Sequence, residues 1–294
     1  MLRILLFGKN GQLGWELQRT LASLGLVFAF DFPEIDFTQA ESLRKLIEQT
    51  HPDLIVNPAA YTAVDTAESD VETAYKVNQH AVSVLAEEAY QLNIPLIHFS
   101  TDFVFDGTKG SSYDELDSPN PLNVYGKSKL KGEEAVWASG CLGIVLRTSW
   151  VYSMRAGGFV TKVLGWAREQ ETLRIVDDQF GEPTSARMLA EATALMVAQS
   201  RGKFLEFFSG RAGLYHLAGA GACSRFEWAE KILELDPHKD EQQVNQILPV
   251  KTDAFPSPAV RPVNSTLDCN KFEQVFGLRL PDWQLALKMM LEKD

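Results

Sequence analysis

The chain has 294 residues, of which 45% are hydrophobic and 23% charged, enough to bury the core of one or two domains. Its 28 basic and 39 acidic side chains give a formal net charge of −11, which argues against nucleic acid as a partner but leaves phosphorylated metabolites open. The 3 cysteines form no CxxC motif, and no apolar run reaches the roughly 18 residues of a membrane span. We therefore expect a cytoplasmic protein that has no disulfide framework and does not cross a membrane.

Apolar runs and helical patterns alternate through the first half of the chain. Buried strands are predicted at 3–8, 27–31, 54–60, 95–102 and 143–152. Helices are predicted between them at 12–24, 40–50, 70–92 and 122–139. Continuous apolar strands that alternate with helices are typical of a parallel sheet covered on both faces. The pattern predicts a doubly wound, Rossmann-type α/β domain over residues 1–152.

The second half of the chain is less regular. Helices are predicted at 159–170, 185–200, 224–235 and 282–292, a short apolar stretch at 173–184 and a strand at 213–219. This mixture predicts a smaller α/β domain over 153–294 that binds mainly the substrate, with segments near 185–220 returning to the first domain.

A glycine-rich loop, "FGKNGQLGWEL", joins the first predicted strand to the first predicted helix. Gly8, Gly11 and Gly14 follow a GxxGxxG spacing, and this context favours a dinucleotide site over glycines that only permit a turn. Gly8 would allow the turn, Gly11 the approach of a pyrophosphate, and Gly14 close packing of the helix on the strand. Asp31, at the end of the next strand, would accept hydrogen bonds from a ribose hydroxyl. Lys9 lies close enough to leave the choice between NADH and NADPH open.

The stretch "PNPLNVYGKSKLKGEEAV" (119–136) predicts a helix capped by Asn120, with Pro121 in its first turn. Tyr125 and Lys129 would share one face because they are four residues apart. Alone, such a pair is more typical of an ordinary surface helix than of a catalytic site. The same helix is expected to expose a solvated face made of Lys127, Lys131, Glu133 and Glu134.

The fourth predicted strand supplies the context for this pair. Ser100 and Thr101 stand at its carboxyl end, where open α/β sheets bind their ligands. Tyr125 could then protonate a carbonyl oxygen that these hydroxyls also bind. A nearby ammonium and a positively charged nicotinamide would lower the pKa of the phenol from about 10. Lys129 would also reach a ribose hydroxyl of the cofactor.

Several segments carry a more specific resemblance. They are "GKNGQLGWEL", "NPAAYTAVDTAE", "FSTDFVFDG", "PLNVYGKSKLKGE", "LRTSWVY", "DDQFGEPT" and "RPVNSTLD". In this order, through nearly the whole chain, they resemble the dTDP-4-dehydrorhamnose reductase family of the extended short-chain dehydrogenase/reductase superfamily. The resemblance implies reduction of the C4 ketone of dTDP-4-dehydro-L-rhamnose to dTDP-L-rhamnose by NADH or NADPH, a step towards cell-surface polysaccharide.

The resemblance also assigns roles to residues. The catalytic set it implies is Thr101, Tyr125 and Lys129. The cofactor contacts from the glycine loop and the resemblance are Gly8, Gly11, Gln12, Leu13, Gly14, Asp31, Asp36, Phe37, Ala59, Ala60, Tyr61, Tyr125 and Lys129. The implied substrate contacts are Val64, Ser100, Thr101, Asp102, Tyr125 and Trp150, with Arg261 as a candidate for the diphosphate because guanidinium binds phosphate in bidentate fashion.

Three positions depart from the family pattern. Phe103 stands where related enzymes often carry tyrosine, so a contact through that hydroxyl is not expected. Pro58 replaces a frequent alanine, which could shift the cofactor loop. Some family members are dimers bridged by magnesium, but Arg187 lies near a position where one of the acidic ligands would stand, so we expect no metal site. The chain could be a monomer or a homodimer.

Two other functions fit part of the pattern. An epimerase or dehydratase of another nucleotide sugar would use the same cofactor transiently and keep it tightly bound. A non-catalytic regulatory subunit would keep the dinucleotide fold as a binding module. The presence of Thr101, Tyr125 and Lys129 together argues against the second, because a pure binder has no need of the phenol.

Overall fold

The computed structural model describes residues 1–155, 157–200 and 203–292. The strands of the first half are β1 (Leu2–Phe7), β2 (Gly25–Phe30), β3 (Leu54–Asn57), β4 (Pro95–Thr101) and β5 (Leu142–Thr148). The helices of this half are α1 (Gln12–Leu21), α2 (Ala40–Thr50), α3 (Val64–Ala67), α4 (Val71–Tyr75), α5 (Ala81–Gln91) and α6 (Val124–Ser139).

The second half contributes shorter strands and further helices. Its strands are β6 (Val151–Tyr152), β7 (Thr172–Val176), β8 (Phe180–Gly181), β9 (Thr184–Ser185), β10 (Gly213–His216), β11 (Cys223–Ser224) and β12 (Gln246–Val250). Its helices are α7 (Phe159–Glu169), α8 (Ala186–Ala198), α9 (Phe204–Ser209), α10 (Arg225–Glu234), α11 (Asn270–Phe276) and α12 (Trp283–Leu291). Every helix that the structure describes is too short or too polar to span a lipid bilayer.

A six-stranded parallel sheet in the order β10-β5-β4-β3-β1-β2 forms the centre of the molecule. Apolar side chains cover both faces: one cluster joins α1, α8 and α11 to the sheet, and the other joins α2 and α5. The prediction of a doubly wound Rossmann-type fold is therefore confirmed. The chain runs outward from β1 in both directions, so the crevice at the carboxyl ends of β1 and β3 is where ligands bind in such sheets.

The elements after β5 divide between two places. Strand β10 joins the central sheet beside β5, and α8 packs on α1. Helices α7, α10 and α12 surround a separate apolar cluster that includes Trp228 and Trp283, next to the small pairs β7–β12 and β8–β11. The boundaries 1–152 and 153–294 stay a prediction, and residues 293 and 294 lie outside the described ranges.

The helix predicted at 70–92 is three segments: α4, a π-helical turn at Lys76–His80, and α5. Asn78 in the π-helical turn is fully buried, and its side chain bonds the backbone of Tyr61 and the hydroxyl of Ser128 in α6. Gly132 of α6 lies against the Asn78 carbonyl so closely that a Cβ would overlap it. The π-helical turn thus directs the side chain of Asn78 towards α6.

The prediction that Asn120 caps the helix of Tyr125 and Lys129 is wrong. Helix α6 begins at Val124, and Asn123 caps it by accepting a hydrogen bond from the Gly126 N–H at 2.8 Å. Asn120 instead donates its side-chain N–H to Asp106. Both asparagines precede the helix, and only their tertiary partners decide which of them caps it.

We expect Gly132→Ala to destabilise the protein by about 1–3 kcal/mol, because the added methyl group pushes α6 away from the π-helical turn. Gly165→Ala is the matched control: Gly165 is also inside a helix, but nothing lies within 4 Å of the position that a Cβ would take. That variant should be neutral or more stable by about 0.5–1 kcal/mol. Urea unfolding of both variants measures the difference, and equal stabilities would show that the helices separate without cost.

Candidate active site

A cavity of about 950 Å³ opens at the carboxyl ends of the central strands. It is lined by every predicted cofactor contact: Gly8, Gly11, Gln12, Leu13, Gly14, Asp31, Asp36, Phe37, Ala59, Ala60, Tyr61, Tyr125 and Lys129. Of the predicted substrate contacts it is lined by Val64, Ser100, Thr101, Asp102, Tyr125 and Trp150. Arg261 is not part of this lining.

The glycine loop makes one end of the cavity narrow and free of side chains. Gly8 has a left-handed backbone (φ 71°), and a Cβ there would lie 3.0 Å from the Ala59 backbone. Gly14 packs so closely on the Gly8 carbonyl that no side chain fits. Gly11 precedes α1 without a side-chain cap, which leaves N–H groups of the first turn open to an anion. This cradle fits the pyrophosphate of a dinucleotide.

The adenosine end of this cradle is acidic. The two oxygens of Asp31 accept hydrogen bonds from the backbone N–H groups of Asn10 and Phe32, at 2.9 and 2.8 Å. Lys9 does not line the cavity and forms an ion pair with Glu34 at 2.5 Å. The carboxylate is thus held in a fixed position at the wall of the cavity.

Tyr125 is half-buried, and its ring packs edge-on against Phe103 with 5.8 Å between the centroids. The pKa of the phenol is raised to about 12, chiefly by loss of solvent and also by the nearby Asp102 carboxylate, against a lowering by the Thr101 hydroxyl. In the protein without ligands the pKa of the phenol is therefore raised, and Lys129, whose amine bonds the backbone of strand β4, does not lower it. The lowering that a bound nicotinamide would add stays a prediction.

Lys129 is 2% exposed, and its Nζ donates a hydrogen bond to the Phe99 carbonyl oxygen at 2.6 Å. Nζ also lies 3.3 Å from Nε2 of His98, whose Nδ1 is 3.2 Å from the amide nitrogen of Asn57. Burial lowers the pKa of the amine to about 8, against the opposing charge of Glu133. Sequence reasoning missed His98, although a histidine inside an apolar strand run was a usable signal.

Glu133 is not on a solvated face, contrary to the prediction. It is buried against the sheet, where Arg147 of β5 donates two hydrogen bonds to it at 2.6 and 2.9 Å. The Ser100 hydroxyl also donates to Glu133, at 2.5 Å. Lys131 and Glu134 do form the expected exposed pair. Ser100 therefore lines the cavity with its hydrogen committed to a buried carboxylate.

Asp102 is a buried carboxyl group next to the Thr101 hydroxyl. It accepts hydrogen bonds from Thr101 (3.0 Å), Ser149 (3.2 Å) and Ser265 (2.5 Å). Burial raises the pKa of Asp102 even against these donors. The nearby Glu182 has its pKa raised well above the usual value, first by burial and then by the charge of Asp102. Both carboxyl groups therefore keep a proton to higher pH than an exposed carboxyl group does.

Trp150 and Arg225 form the other end of the cavity. Trp150 has a left-handed backbone (φ 42°), and its indole occupies the space next to Gly181 where a Cβ would stand. The guanidinium of Arg225 stacks 3.5 Å from the centre of this indole. Among the described residues none accepts a hydrogen bond from this guanidinium or pairs with it. Arg225, which sequence reasoning missed, thus lines the cavity without an ion-pair partner among the described residues. Burial lowers its pKa to about 9, and the more distant charge of Asp102 opposes that shift.

Arg261 has partners outside the cavity. Its guanidinium pairs with Asp65 at 2.7 Å and donates to the Ser257 hydroxyl at 2.6 Å. The substrate role of Arg261 stays a prediction. Arg187 forms an exposed pair with Glu191 at 3.2 Å. In the part of the chain that the structure describes, no three His, Cys, Asp or Glu side chains converge as a metal site needs, and the expected lack of a metal stays a prediction.

We expect Glu182→Gln to stabilise the protein more at about pH 8 than at about pH 5. The folded state raises the pKa of Glu182 above its ordinary 4.5, so the folded protein binds the extra proton and loses stability as pH rises. Glutamine keeps an acceptor for the Leu267 N–H that Glu182 now binds and removes the titration. Urea unfolding at both pH values, with exposed Glu169→Gln as control, tests this; a gain independent of pH would contradict it.

The chain matches known proteins over its full length. The family model described as "RmlD substrate binding domain" matches residues 2–294. A dTDP-4-dehydrorhamnose reductase of Escherichia coli (strain K12) is 42% identical, over 99% of this chain and 98% of that protein. The same-named protein of Burkholderia thailandensis is 43% identical over 97% of each. The crystal structure of a dTDP-4-dehydrorhamnose reductase from Bacillus anthracis str. Ames in complex with NADP superposes with a TM-score of 0.87, at 32% identity, over 99% of both chains.

Proposed function

Because the chain belongs to this family of dTDP-4-dehydrorhamnose reductases, we propose that Thr101, Tyr125 and Lys129 are its catalytic residues. The protein is an oxidoreductase that uses NADH or NADPH to reduce the C4 ketone of dTDP-4-dehydro-L-rhamnose to dTDP-L-rhamnose. The observation that supports the residue assignment is that all three side chains line the cavity into which the glycine cradle opens. The cofactor contacts named above are proposed on the same ground.

The bound nicotinamide supplies the hydride. Tyr125 holds the proton that the C4 oxygen needs, and its pKa of about 12 keeps the phenol protonated at neutral pH. The Thr101 hydroxyl lies beside the phenol and can turn from Asp102 to donate to the developing oxyanion. Lys129 lines the same cavity, and we propose that its amine bonds a ribose hydroxyl of the cofactor. The side chains thus bind and protonate the substrate oxygen.

We propose Arg225 as the contact for the diphosphate of the substrate. Its guanidinium lines the cavity, lies against Trp150 and carries no carboxylate partner among the described residues. Arg261 is the second candidate, but it would first have to leave Asp65. Trp150 offers a flat ring for the sugar, and Val64 an apolar contact.

We further propose a cytoplasmic location and either a monomer or a homodimer. The free thiols of Cys141, Cys223 and Cys269 suit a reducing compartment. The region after β5 would bind mainly the substrate, since it contains Arg225, the proposed diphosphate contact.

Tyr125→Phe should lower kcat by about 10²–10⁴-fold, because the variant keeps the ring and loses the proton donor. The affinity for NADH, measured by calorimetry, should stay within a small factor of the wild type. The assay incubates protein with dTDP-4-dehydrorhamnose and NADH and follows the loss of nicotinamide absorbance.

Tyr90→Phe removes an exposed phenol from α5 and serves as the matched control. Near-normal turnover of Tyr125→Phe would exclude this tyrosine as the acid. Wild-type protein that binds the nucleotide sugar but never consumes NADH would favour a binding subunit, and tightly retained NAD with no net oxidation an epimerase or dehydratase.

Arg225→Gln should raise the KM for the nucleotide sugar about 10- to 100-fold, because a charge-assisted hydrogen bond to phosphate contributes about 1.5–3 kcal/mol. The Kd for NADH should change little. Arg261→Gln, which removes a partly exposed pair with Asp65, should change the KM much less. Steady-state kinetics of both variants measure the difference, and the reverse order would assign the diphosphate to Arg261.

A further inference from the structure

Behind the catalytic lysine lies a row of buried polar groups that crosses two strands. Asn57 of β3 and His98 of β4 are partners in the parallel register and are 1% and 0% exposed. Asn57 Nδ2 lies 3.2 Å from His98 Nδ1, and His98 Nε2 lies 3.3 Å from Lys129 Nζ. The row begins at Ala59 of the cofactor loop, whose N–H donates to Asn57 Oδ1 at 3.2 Å.

The bond from Ala59 fixes the direction of the whole row. A backbone N–H can only donate, so the Asn57 oxygen faces Ala59 and its NH₂ group faces His98. The NH₂ group lies 3.2 Å from Nδ1, and we assign it as the donor, which leaves Nδ1 without a hydrogen. The backbone carbonyl of Asn57 is the competing acceptor for the ring and raises the pKa of His98. A neutral imidazole then holds its single hydrogen on Nε2. His98 is neutral because burial, and then the charge of Lys129, hold its pKa well below 6.5.

The hydrogen on Nε2 is directed at the amine of Lys129. An ammonium group has no lone pair to accept it, whereas a neutral amine has one. We propose that His98, oriented by Asn57, is a positioning residue that donates its Nε2–H to Lys129 and thereby makes the neutral amine accessible near physiological pH. The amine keeps an N–H for Phe99 and another for the cavity. This role rests on the proposed catalytic function of Lys129.

The other groups around the Lys129 amine also shift the balance between its charged and neutral forms, or leave it unchanged. Glu133, one turn further along α6, favours the ammonium, but Arg147 from β5 neutralises it with two hydrogen bonds. The carbonyl of Phe99 in β4 accepts from either form. Tyr125, one turn earlier on α6, is neutral at these pH values. The imidazole is therefore the uncharged donor that distinguishes the two forms of the amine.

The test measures the titration of Lys129 in the protein without substrate, so it does not depend on turnover. Lysine labelled with ¹³C at Cε reports its charge by NMR, and Lys129→Met assigns the resonance. We expect a midpoint near the pKa of about 8 in the wild type. In His98→Gln the side-chain oxygen can accept from the ammonium, so the midpoint should rise by about one pH unit, a tenfold change in the ratio of the two forms.

Asn57→Asp is the second variant and keeps the imidazole in place. Its carboxylate can accept from both Ala59 and Nδ1–H, which turns Nε2 into an acceptor and should also raise the midpoint. Ser128→Ala is the control: Ser128 is buried in the same helix but bonds Asn78 and the Tyr125 carbonyl, so its loss should leave the midpoint unchanged.

A second readout is the Kd for NADH as a function of pH, measured by calorimetry. In the wild type the affinity for NADH should fall as Lys129 loses its charge. In both variants the pH at which the affinity falls should rise by as much as the NMR titration midpoint of Lys129 rises. A midpoint in His98→Gln equal to that of the wild type would overturn the proposal. If His98→Gln does not fold, an unchanged midpoint in Asn57→Asp would overturn it instead. A protein inactive as a reductase but with the expected titrations would contradict only the catalytic assignment.

Discussion

The ion pair between Glu133 and Arg147 is the interaction on which the placement of helix α6 depends. Both side chains are 2% exposed, and the pair joins α6 to β5 while Ser100 joins it to β4. Removing one partner of such a buried pair leaves an unpaired charge and typically costs about 3–5 kcal/mol. Helix α6 thus lies against the sheet through polar contacts as well as apolar ones, and its polar face is where Tyr125 and Lys129 stand.

The polar contacts behind the cavity also orient the groups that face it. Asp102 takes the hydrogen of Thr101, and Glu133 takes that of Ser100, so buried carboxylates decide where each hydroxyl points in the resting protein. Burial acts oppositely on the two proposed catalytic groups of α6: it raises the pKa of Tyr125 and lowers that of Lys129. Both shifts favour the uncharged form. Without ligands, the side chains of Tyr125 and Lys129 therefore carry less charge than the same side chains would carry in water.

The sequence was sufficient for the features that depend on local pattern. The glycine loop, the parallel strands and the carboxyl ends at Asp31 and Thr101 follow from periodicity and from the rules of parallel sheets. The sequence was insufficient where a residue far along the chain determines the burial or the position of a side chain. Glu133 is predicted to be solvated because its partner Arg147 is in another element, and Arg225 lies far along the chain in a helix whose register with Trp150 no local pattern encodes.

The unpaired guanidinium of Arg225 has a consequence for how ligands arrive. The protein carries a formal net charge of −11, and both the dinucleotide and the nucleotide sugar are anions. At low ionic strength the outer surface repels them, while the field of Arg225 acts only within about a Debye length, about 10 Å at 0.1 M salt. Added salt first screens the long-range repulsion between the acidic surface and the ligands. It screens the short-range attraction between Arg225 and the diphosphate that we propose it binds only at higher concentration. The rate of productive encounter should therefore pass through a maximum as the ionic strength rises.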